Sequence, residues 1–139
     1  MAALAAPWLD SIDSYAKPES SVASDLTVIS DFFGIKTTGK TMADLVGSTS
    51  SSLWRGARAG LPPGSRVAAR ISILAAFVLE TRGYYRDNDK AVPEASDAYR
   101  WLMSGRMDIG HGPERVFDVL KDEEKAQRAL SDIRARRHG

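Results

Sequence analysis

Residues 65–82 read SRVAARISILAAFVLETR and are followed by Gly83. Val67, Ile71, Leu74 and Val78 fall at helical spacing, and Ala68, Ala75 and Leu79 widen that stripe. Ile73 and Phe77 lie on another face, so the second half is apolar nearly all round, as in a helix buried on most sides. Pro62-Pro63-Gly64 stands before the stretch, and Gly83 is expected to stop it. It is shorter than the roughly 20 apolar residues of a membrane span, and Arg66 and Arg70 sit inside it. The expected structure is a soluble all-α protein with this helix, residues 65–83, at its centre. One module would pack on it from the N-terminal side and another from the C-terminal side.

Composition fits that expectation. The 139 residues suffice for one domain, or two very small ones, and a hydrophobic share of 43% supports a core without staples. The chain has no cysteine, which excludes disulfides, cysteine zinc sites and a thiol nucleophile. A net charge of +1 points to no polyanion partner, so any nucleic-acid reading rests on local charge. The N-terminus lacks a basic region before its short apolar run, and Asp10 interrupts that run, which argues against a signal peptide. A cytoplasmic protein with no membrane contact is expected.

N-terminal to the central helix, residues 1–24 are weakly patterned, and Lys17-Pro18-Glu19-Ser20-Ser21 is expected to break any helix there. The segment reads as a flexible arm, or as an arm that docks a Trp8 face. Residues 25–64 hold three short helices. Leu26, Ile29 and Phe33 share a face, Ser24 can cap that helix, and Gly34 ends it. Thr41 is expected to cap the second helix, with Asp44 completing a capping box, and Gly47 closes it. The third helix runs over residues 50–60. A helix pair joined by a Gly-containing turn is the helix-turn-helix pattern. The hydroxyls of Ser50, Ser51 and Ser52 are suited to phosphates or base edges, and Arg55 and Arg58 follow them. No acid occurs between Asp44 and Glu80, whereas Arg55, Arg58, Arg66 and Arg70 all do. The competing reading is a helix pair used only for packing, with a solvated arginine face.

C-terminal to it, residues 83–90 read as a polar loop, and Pro93 leads into a helix with Ala98, Tyr99, Trp101 and Leu102 on its apolar side. Residues 106–112 read as a loop, Pro113 as the opening of a helix bearing Val116, Phe117 and Leu120, and residues 126–133 as the last helix. No strand pattern and no internal repeat stands out. No nucleophile, base and metal set is discernible: His111 lies between glycines, His138 is next to the end, and residues 34–40 lack P-loop spacing. An enzyme, a metal site or a cofactor is not expected.

Residues 98–117, AYRWLMSGRMDIGHGPERVF, together with residues 126–133, resemble the toxin-binding domain of the Xre/MbcA/ParS antitoxins. That family has a Trp-Leu pair ending a helix, a loop with Gly and Pro, an apolar pair after the Pro, and a last helix with Leu and Ile three apart. Here these are Trp101-Leu102, Gly110 and Pro113, Val116-Phe117, and Leu130 with Ile133. Upstream, Leu53-Trp54-Arg55 before Pro62, then Arg70-Ile71, resemble the family's Xre-like helix-turn-helix. The resemblance implies a helix-turn-helix domain (25–64) joined through the central helix to a C-terminal toxin-binding domain (84–139). It implies a type II antitoxin whose C-terminal part blocks the active site of a RES-domain toxin that degrades NAD or ADP-ribosylates its target. It also implies a homodimer within a hetero-oligomeric complex, and repression of the operator. The toxin-binding set is then Trp101, Gly110, Pro113, Arg134, Arg136 and Arg137, and the DNA-binding set Ser50, Ser51, Ser52, Arg55 and Arg58. Where the family commonly has Gly after the last Ile, this chain has Arg134-Ala-Arg-Arg. That tail suits acidic groups, or the phosphates of a bound nucleotide, or is a disordered end. Two other readings stand beside the antitoxin: a helix-turn-helix regulator with a C-terminal dimerisation domain, and a helical adaptor with neither partner.

Overall fold

The computed structural model describes residues 19–62 and 64–138. The fold is all-α with one small hairpin: α1 (Glu19–Phe33), α2 (Lys40–Val46), α3 (Ser50–Ala59), α4 (Arg66–Asp87), α5 (Ala95–Ser104), β1 (Arg106–Asp108), β2 (Pro113–Arg115), α6 (Val116–Leu120) and α7 (Glu123–His138).

The central helix, α4, has 22 residues and is therefore about 33 Å long. The Ser65 hydroxyl caps it by accepting the Ala68 N–H at 3.3 Å. Ile71, Leu74, Ala75, Phe77 and Val78 are buried along it. Gly83 does not stop the helix; it lies within it, buried, where a Cβ would collide with the Arg137 guanidinium of α7. The entropic cost of a mid-helix glycine is offset there by close approach of a second helix. Residues 83–87, expected in a polar loop, are consequently the last turn of α4, and Asn88 ends it by donating to the Tyr84 carbonyl at 2.8 Å.

Helix α1 packs against α4, α3 and α5, with Leu26, Ile29 and Phe33 fully buried. It begins at Glu19, six residues before the expected start, and Val22 is also buried. One more apolar contact a turn upstream extends the helix through the serines of residues 20–24, which are only mildly unfavourable in helices. The arm with its Trp8 face lies outside the described residues. Gly39, not Thr41, precedes α2; Thr41 is inside the helix, and Asp44 pairs with Lys40 at 3.3 Å instead of closing a capping box. Gly47, with φ of 71°, ends α2 as expected. Thr49 caps α3, its hydroxyl accepting the Ser52 N–H at 3.1 Å. Replacing Thr49 by alanine is expected to cost about 1 kcal/mol, measurable by urea unfolding, and to loosen the α2–α3 turn first.

Residues 106–115 are not a loop followed by a helix. They form an antiparallel hairpin pairing Arg106 with Arg115, Met107 with Glu114 and Asp108 with Pro113. Pro113 opens β2, where its missing N–H is tolerated at a strand start. Helix α6 begins only at Val116. Across the turn, Gly110 and Gly112 have φ of 114° and 94°. Their N–H groups donate to one Asp108 carboxylate oxygen at 2.7 and 3.1 Å. Helix α7 then runs back along α4, burying Ala126, Ala129 and Leu130. A single cluster of buried side chains extends from Val22 of α1 to Leu130 of α7, and α4 passes through it.

Candidate functional site

Two surfaces collect the residues that the sequence singles out. The first is the outer face of α3. Thr49 fixes its first turn, Ser50 and Ser51 are exposed and Ser52 is partly buried. Arg55 is exposed and donates to the Ser52 hydroxyl at 3.3 Å. Arg58 lies over the Trp54 ring at 4.6 Å, and Trp54 is 52% exposed. Trp54, read from sequence only as part of a helix end, is thus the largest apolar group on this face. Exposed Trp-Arg-Ser surfaces of this kind can stack on bases and hold phosphates.

The basic strip is narrower than the sequence suggests. Arg66 is exposed, but the Arg70 guanidinium donates to the Lys121 carbonyl, 51 residues away, and lies where a Cβ on Gly47 would be. Arg70 ties the α2–α3 turn to the end of α6, and its guanidinium is committed there.

The second surface lies between α4, α5, the hairpin and α7. Trp101 is half-buried, its ring nearly parallel to Phe33 (6.5 Å, 14°) and to Phe77 (6.4 Å, 6°). It belongs to the aromatic packing between α1, α4 and α5. Beside it opens a cavity of about 540 Å³, within the size range of small-molecule sites. Phe77, Tyr84, Tyr85 and Trp101 line it, and Arg106, Asp132 and Arg136 border it from the hairpin and α7. Gly110 is exposed at the hairpin turn and Pro113 at the start of β2.

The three tail arginines part ways. Residues 134, 137 and 138 share one face of α7 and turn to α4. Arg134 donates to Glu80 at 3.2 Å, Arg137 to Glu80 at 3.0 Å and to Asp87 at 2.8 Å, and the His138 ring lies 3.2 Å from Glu80. The acids that meet this basic tail are the chain's own, and α7 stays helical to His138. Burial works to raise the Glu80 carboxyl, and the hydrogen bonds from Arg134, Arg137 and the His138 ring outweigh it and hold the group below its ordinary value. The same two contacts, Asp87 first, push Arg137 up. Arg136 points the other way, to the cavity, and no ion pair engages it among the described residues.

Two further pairs fix the hairpin. Lys125 of α7 donates to Glu114 at 2.6 Å, and that contact raises the lysine. Arg115 bridges to Asp118 at 3.1 Å and, against its partial burial, holds that carboxyl down with help from Lys121. Among the described residues no three His, Asp or Glu side chains come together as a metal set, and no helix is long and apolar enough to cross a membrane.

Comparison with known proteins adds no relative: no family model matches the chain, and neither a curated protein nor a solved structure does.

Proposed function

We propose that the chain is a type II antitoxin that binds a RES-domain toxin and closes its active site with the C-terminal part. The observation that supports this reading is the clustering of the segments carrying the resemblance. The Trp101 helix, β1 and α7 line one cavity together with the second half of α4, α7 runs along α4, and Trp101 lies against Phe77 of α4. Trp101 sets that packing; Arg136 is the tail residue left over for a partner's acids or for the phosphates of its nucleotide. In this reading the protein works in the cytoplasm, as a homodimer within a larger complex. Co-expression with the adjacent reading frame, followed by purification and mass determination, tests it. A stable complex with a RES-domain protein is expected, in which the toxin's NAD consumption is suppressed. Arg136→Glu should weaken inhibition by about tenfold or more, the worth of one charge-assisted contact. A chain that forms no complex with any such protein from its own cell overturns the reading.

A second function, repression of its own operator, draws on the exposed Ser50, Ser51 and Arg55 at the start of a capped α3. Binding to its promoter should fall steeply with salt, and Arg55→Ala should lower the slope of log K against log salt by about 1. Salt-insensitive binding would leave α3 with a packing role only.

A further inference from the structure

The cavity beside Trp101 has a charge pattern that packing does not explain. Of its acids, Asp108 is occupied by the Gly110 and Gly112 N–H groups, and Asp97 faces Arg100 at 3.5 Å. Arg106, Arg136 and Asp132 make no hydrogen bond or ion pair with the described residues. The uncommitted charge is therefore two guanidiniums and one carboxylate, on two different elements, at the border of an aromatic chamber of about 540 Å³. Inside, Phe77 and Trp101 are parallel to within 6°, so the aromatic side of the chamber is walled by flat rings that suit a planar ligand. Tyr84 and Tyr85, set edge to face at 6.2 Å, also line the chamber.

We infer that this cavity binds a small planar aromatic molecule carrying a carboxylate or phosphate. Its ring lies among Phe77, Trp101, Tyr84 and Tyr85, its anion between Arg106 and Arg136, and a ring N–H or amino group meets Asp132. Guanidinium groups suit both oxyanions, since each presents paired acceptors to the planar fork. The inference concerns the chain by itself and does not rest on the antitoxin reading.

Calorimetric titration of the full chain tests it with four probes: indole-3-acetate, its neutral isostere indole-3-acetamide, adenosine 5′-monophosphate, and the peptide acetyl-Glu-Phe-Glu-amide. One or both of the aromatic anions should bind, the tighter one assigning the carboxylate or the phosphate source. The acetamide should bind about tenfold more weakly than the acetate, the fold-change of a charge-assisted hydrogen bond. Arg106→Gln and Arg136→Gln should each weaken anion binding by about the same factor. Both side chains are exposed and unpaired, so both variants should melt with the parent chain. Three results overturn the inference: equal binding of acetamide and acetate, no binding of either anion at millimolar concentration, or tighter binding of the peptide, which would make the cavity a groove for an acidic protein segment.

Discussion

Replacing Trp101 by alanine is expected to destabilise the fold by about 3–5 kcal/mol, the cost of deleting a large packed aromatic. The ring bridges Phe33 of α1 and Phe77 of α4, so its loss opens a cavity where three helices meet. The parallel geometry adds about 0.5–1.5 kcal/mol per aromatic pair beyond area burial. Trp101→Phe keeps part of both contacts and should recover much of the loss. Urea unfolding of the two variants checks the order. The comparison also separates packing from recognition: if Trp101 touches a toxin, Trp101→Phe should fold yet lose affinity; if it acts through packing, affinity should return with stability.

Removing the Glu80 carboxylate is expected to be the next most costly change. Its side chain is only 18% exposed and accepts from Arg134, Arg137 and the His138 ring. Glu80→Ala leaves Arg134 without its acid and Arg137 with Asp87 alone. Hydrogen bonds to charged groups are each worth about 1.5–3 kcal/mol. Solvent screening of the more exposed Arg134 and His138 brings the expected total to about 2 kcal/mol. Hydrogen exchange should rise first in the last turn of α7. The pH dependence has a definite sign. The folded-state carboxyl is held below its ordinary value of 4.5, so its contribution is fully present above that value. It is lost as pH falls below 4.5 through the lower folded value. Wild type should therefore lose more stability than Glu80→Ala on acidification through that window.

The parts of the fold legible in the sequence are those set by local apolar spacing. Val67, Ile71, Leu74 and Val78 mark α4, Gly47 marks the end of α2, and α3 and α5 start within about a residue of their expected places. What escaped depends on distant partners. Gly83 reads as a stop, and only α7 passing over it makes it a helix interior. The hairpin strands have three residues each, too short for an alternating pattern, and Arg106 and Glu114 hide their role. The Asp108 side chain that gathers two glycine N–H groups was the available signal. At the candidate sites, Ser50, Ser51, Arg55, Arg58 and Arg136 are exposed. Arg134 and Arg137 are paired with acids on α4 that lie 50 to 57 residues away in the chain, a distance no local pattern shows. Tyr84 and Tyr85 reach the cavity only because α4 runs past Gly83.

The stack of Phe33 on Trp101 also sets a schedule for synthesis. These rings are 68 positions apart in the chain, and the ribosome delivers one long before the other. At ~5–20 residues per second, the apolar face of α1 waits on the order of 3–14 s for α5 to emerge. During that interval Phe33 lacks its partner ring and Leu26 and Ile29 lack part of their cover. A protease or chaperone that reads apolar helices meets the nascent chain before it meets the finished protein. Slower elongation over the codons between the two rings lengthens that interval in proportion.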